Sequence, residues 1–194
     1  LNDTKTYVST YGKLNIGQMY ITSDGKTRLY ITLSEGRTAP WLNLYLEANS
    51  EIDIDWGDGS VHSTFTSTDA DYKNEQHAYA SAGDYVIAIT VVSGRFVLQS
   101  QSEKVSTLLT NNNNSSSSPD RGYLNSIKRM EIGSRVTSIG TNAFNYCSSL
   151  SSITIPDGVT HIGIGAFSRC SSLPSITIPD DVTTIGSSAF SGCT

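Results

Sequence analysis

The sequence predicts a mainly β protein in two parts, an antiparallel β-sandwich followed by a solenoid of 23-residue repeats. Three observations predict it. Cys147, Cys170 and Cys193 are spaced 23 and 23 residues apart, and a set of apolar columns keeps the same step. Upstream, short stretches alternate apolar and polar residues between glycine-rich turns. No segment carries helical periodicity for more than two turns.

Residues 1–110 read as the sandwich with an N-terminal hairpin, 111–120 as an Asn/Ser-rich flexible segment, and 121–194 as the solenoid. Met19–Thr22 and Thr27–Leu33 flank Asp24-Gly25, a hairpin signal. Trp41–Ala48 places Leu42, Leu44 and Leu46 on one face. In Glu51–Trp56, Ile52, Ile54 and Trp56 alternate with Glu51, Asp53 and Asp55, which are expected to face water. Tyr85–Val92 is a continuous β-branched run suited to a central strand. Phe96, Leu98, Val105, Leu108 and Leu109 supply either a last strand or a cap over the first repeat. The tract Asn111–Ser118 cannot bury anything, and a loop inserted near the junction is favoured over a free tether.

Within this first part stand Trp56-Gly57-Asp58-Gly59-Ser60, then His77-x-Tyr79 and Gly83-x-Tyr85-x-Ile87. Over residues 38–93 this resembles the PKD domain, an immunoglobulin-like sandwich. The resemblance implies an extracellular spacer or binding unit. Asp58 reads as the cap of a tight turn. A calcium reading would enlist Asp53, Asp55, Asp58, Asp69 and Asp71, but no D-x-D-x-D-G loop is formed. No metal or cofactor is assigned.

In the second part the columns run in register. Val136, Val159 and Val182 form one, as do Ile139, Ile162 and Ile185, each followed by glycine. Ala143-Phe144, Ala166-Phe167 and Ala189-Phe190 form a further pair of columns. Leu150, Ile153 and Ile155 have L-x-x-L-x-L spacing and recur at Leu173, Ile176 and Ile178; Ile127, Met130 and Ile132 extend them upstream. One coil cannot bury its own apolar face, whereas stacked coils bury each other's. The cysteines, with Leu124 upstream, then form one core column of small buried hydrophobes. Their spacing lacks a C-x-x-C pair for zinc, and parallel side-chain vectors resist a disulfide.

The run CSSLSSITIPDGVTHIGIGAFSRC resembles the BspA-like leucine-rich repeats of bacterial surface proteins, over about residues 123–194. That resemblance implies a secreted or cell-surface bacterial protein, adhesin-like, recognising a host or matrix protein or a glycan. The alternative is a structural spacer presenting another domain of a larger surface protein. The array ends at Thr194, so the reading expects either further coils or a covering element, and leaves open self-association through the solenoid end.

Composition narrows the function classes. Net charge is −5 and no basic stripe is present, which argues against nucleic acid as a partner. No apolar run reaches the roughly 20 residues of a membrane helix. The three histidines, His62, His77 and His161, stand in no nucleophile elbow and no H-E-x-x-H, and no phosphate-binding glycine loop appears. Binding is therefore expected rather than catalysis. Candidate contact residues are those that vary between repeats: Arg129 and Glu131 on the first strand, His161, Ile164, and above all Tyr146 and Arg169 on the turn side.

Overall fold

The structure, a computed structural model, describes residues 24–98, 108–110 and 121–193. Met19–Thr22, Val105 and the Asn111–Ser118 tract lie outside the described residues.

The first part forms as its alternation predicts. Strand β1 (Thr27–Leu33) pairs antiparallel with β6 (Gly83–Ser93), which pairs on its other side with β3 (Ser50–Asp55), itself paired with β4 (Ser63–Ser67). In the second sheet, β2 (Trp41–Leu46) pairs with β5 (Asp71–Gln76), and with both β7 (Phe96–Leu98) and β8 (Leu109–Thr110). Leu29, Leu42, Leu44, Leu46, Ile52, Ile54, Ile87 and Ile89 are fully buried between the sheets.

A single turn of helix, α1 (Arg121–Leu124), leads into the repeats. The first two coils each supply a strand to one side, and all three supply a strand to a second side and a hydrogen-bonded turn to a third. The first side carries β9 (Ile127–Glu131) and β11 (Ser152–Thr154), in parallel. The second carries β10 (Val136–Ile139), β12 (His161–Ile162) and β13 (Thr184–Ile185). The inner columns meet as predicted. Cys147 and Cys170 are buried and unbridged, as is most of the Val and Ile set. Phe144, Phe167 and Phe190 stack at 5.2 and 5.4 Å with nearly parallel rings. Those separations exceed the roughly 4.8 Å between neighbouring strands, so the rings are offset rather than eclipsed. The thiols also donate: Cys170 Sγ lies 3.2 Å from the Phe144 carbonyl, and Cys193 Sγ 3.2 Å from that of Phe167.

The two parts are one continuous β framework. β1 of the sandwich pairs antiparallel with β9, so one sheet runs β11-β9-β1-β6-β3-β4. β7 pairs parallel with β10, so the other runs β13-β12-β10-β7-β2-β5. β7 is thus the strand that closes the sandwich and the one on which the first coil stacks. Leu108 joins the same seam, donating its N–H to Ala143 and accepting from Asn43. The junction is docked on both sheets, and the buried core runs without a break from Leu29 to Ala189. At the far side of the stack, Ile185 is 50% exposed and Phe190 and Cys193 are only partly covered.

Candidate binding face on the repeats

The turn side of each coil is built on two backbone positions with left-handed φ. The first holds Asn142, Gly165 and Ser188; the second holds Tyr146 and Arg169 at φ 63° and 62°, followed by Gly192 at 78°. Left-handed backbone costs a non-glycine residue roughly 1 kcal/mol, because Cβ crowds the following carbonyl. Glycine in the third coil is the relaxed solution. A bulky aromatic residue and an arginine in the first two hold that conformation despite its cost.

What holds them is the inter-coil ladder. Tyr146 donates its N–H to Ser168 O at 2.8 Å, and Arg169 donates to Ser191 O at 2.7 Å. The ladder sets the two side chains one coil apart on the same column, and the Arg169 guanidinium lies 4.7 Å over the Tyr146 ring. Arg169 is exposed and Tyr146 half-buried. Among the described residues no carboxylate pairs with Arg169. Nearby, Asn145 Nδ2 donates to Asn142 Oδ1 at 3.3 Å, and that oxygen sits where a Cβ on Gly165 would fall.

The six predicted contact residues do not form one site. Tyr146 and Arg169 come together on the turn side. Ile164, 55% exposed, opens the same turn segment. His161 is exposed on β12, in the second sheet. Glu131 departs from its expected place on open surface: it is 3% exposed at the seam with the sandwich. There it accepts a hydrogen bond from the Tyr30 hydroxyl at 3.1 Å and pairs with Arg129, which stacks over Tyr30. The residue differs from its later counterparts because β1, not a preceding coil, lies on one side of it, with Thr154 of the next coil on the other. Gly133 and Tyr30, which complete this seam, were not among the predicted residues. The available signal was Gly133 itself, standing where Pro156 and Pro179 occur in later coils.

The sandwich has its own polar cluster. His77 stacks on Trp56 at 4.6 Å and 6°, and its Nε2 lies 2.7 Å from Asp58 Oδ2. Tyr79 donates its hydroxyl to Trp56 O at 3.0 Å. Trp56 Nε1 donates to Ser63 Oγ, which donates on to Glu75. Gly57 is required in this turn: its φ is 77°, and a Cβ would stand 2.4 Å from Val86 O on β6. Burial pushes the Asp58 carboxyl up, but hydrogen bonds from Ser60 and His77 outweigh it and hold it at about 2. Asp53 and Asp55 face His62, at 2.8 and 3.7 Å. Among the described residues no group of three or more His, Cys, Asp or Glu converges on a common metal position.

With this geometry in hand, the comparisons with known proteins fall on the repeats. The family model described as "BspA type Leucine rich repeat region (6 copies)" matches residues 121–194. The C-terminal part is a BspA-type leucine-rich-repeat region. The chain is also similar to a crystal structure of the T. pallidum leucine-rich-repeat protein, with 33% identity over 36% of this chain and 43% of that one. The chain therefore spans less than half of that protein, and a TM-score of 0.29 says nothing of the overall arrangement. No curated protein matches the chain. Among the described residues no helix is long and apolar enough to cross a membrane.

Proposed function

We propose that the chain is a non-catalytic binding protein, adhesin-like, displayed at a bacterial cell surface or secreted, and that its repeat surface contacts a host or matrix protein or glycan. The observation that carries this reading is the Tyr146–Arg169 pair. Two large anchor-type side chains occupy strained backbone positions and pack on each other; Tyr146, half-buried, rests against the core and carries the exposed Arg169 outward. The N-terminal sandwich, PKD-like in its Trp56–Ser60 and His77–Tyr85 motifs, holds that face outward through the shared sheets. In the same reading the partly uncovered last described coil is a surface for self-association, which sedimentation at several concentrations tests.

The experiment is a pull-down and array screen with the chain against matrix proteins and glycans. Saturable binding that weakens at least tenfold on Tyr146→Ala or Arg169→Ala supports the reading. Binding untouched by both changes places the contact elsewhere. No ligand in a broad screen favours the spacer role, in which the framework only separates other modules.

A further inference from the structure

The chemistry of the turn side says what class of ligand it would take. The segments 141–149, 164–172 and 187–193 contain no aspartate or glutamate, so no acidic residue of these turns competes for Arg169. The Tyr146 ring holds the guanidinium carbon 4.7 Å from its centroid, and the guanidinium pairs with no carboxylate among the described residues. A guanidinium presents paired donors that match a carboxylate two-to-two, and stacking it beforehand reduces the rotamer entropy lost on binding. Beside it stand Ser168, adjacent in the chain and half-buried, and Ser191, exposed and accepting the Arg169 N–H at its carbonyl; their hydroxyls can both donate and accept. That rim suits a polyol better than the apolar side chains of a peptide.

We propose that Arg169, stacked on Tyr146, anchors the carboxylate of an acidic sugar, of the uronic or sialic acid type, with the neighbouring Ser168 and Ser191 hydroxyls meeting the sugar hydroxyls. This rests on the binding-protein reading above and narrows it to one ligand class.

The test uses the whole chain against sialylated and glucuronate-containing oligosaccharides, each beside its carboxyl-reduced counterpart, with a polyglutamate peptide in parallel. The expected result is saturable binding of the carboxylated sugars, about tenfold or more weaker after carboxyl reduction. R169Q abolishes the difference between the two forms, and R169K, lacking the fork, recovers only part of it. R169G serves as a second variant, because glycine adopts this φ freely and keeps the fold even if R169Q does not. Equal binding of reduced and carboxylated sugars overturns the proposal, as does undiminished binding by R169Q and R169G, binding of polyglutamate alone, or no binding to any carboxylated sugar. A neutral ligand bound independently of Arg169 overturns this inference while leaving a binding role for the repeats intact.

Discussion

The Arg129 guanidinium lies 4.9 Å above the Tyr30 ring, so a side chain of the first coil closes over an aromatic ring of the sandwich. Between them the Tyr30 hydroxyl and Arg129 both bond Glu131, whose carboxylate is buried at the seam. The relation works only if both halves are in place. Arg129→Ala removes a cation–π contact and strands the Glu131 charge, and is expected to cost about 2–4 kcal/mol. The urea midpoint measures it. A loss no larger than that of an exposed surface change such as Glu35→Ala would mean the pair does not hold the seam.

Gly133 marks the same seam from the backbone. A Cβ there would stand 2.2 Å from Gly25 O, and its N–H donates to Thr27 Oγ1 at 2.9 Å. Later coils place Pro156 and Pro179 in this column, where neither a donor nor the space is needed. Gly133→Pro, which makes the first coil resemble the others, should destabilise by about 3 kcal/mol or more. Pro156→Gly should cost about 1 kcal/mol or less. Thermal melts of the two variants check the contrast, and equal effects would contradict it.

The cysteine column makes a prediction about reactivity. Burial pushes the Cys147 thiol well above its ordinary range and Cys170 up to about 12, and raises Cys193 as well. The thiolate is the nucleophile, so native protein at pH 8 should alkylate slowly. Cys193, only partly covered, should label first, and all three should react once urea unfolds the chain. Mass spectrometry of iodoacetamide-treated protein reads the order. Rapid native labelling of Cys147 would contradict the packing.

Asp58 sets an acid limit on the sandwich. Its folded pKa of about 2 lies below the ordinary 3.8. A depressed carboxylate contributes stability above its unfolded pKa and loses it as pH falls towards the folded one. The Asp58–His77 contribution should therefore fade between pH 4 and 2. Asp58→Asn should flatten the pH dependence of the urea midpoint in that window. An unchanged slope would mean the pair contributes nothing there.

The repeat is legible in the sequence because core duty forces the same residue type into the same column. The 23-residue register alone puts Val136, Ile139, Phe144 and Cys147 inside, and all four are buried. The seam is not legible, for the converse reason. Variation at Glu131 looks like freedom from core duty, when it reflects a different neighbour, and the pairing of β7 with β10 joins residues some 40 positions apart with no local signal. Tyr146 and Arg169 stand out by type. Their strained backbone could also have been read from Gly192, the glycine sharing their column.

The sandwich and the repeats form one folding unit through two shared sheets, and on this the rest depends. Both tryptophans, Trp41 and Trp56, lie in the sandwich, while Cys147 and Cys170 lie in the repeats. A urea titration that follows tryptophan fluorescence and pulsed thiol labelling on the same samples tests the claim directly. Coincident midpoints are the predicted result. Thiols that become reactive at a clearly lower urea concentration, while the tryptophan signal stays native, would show that the repeats unfold on their own and would contradict it.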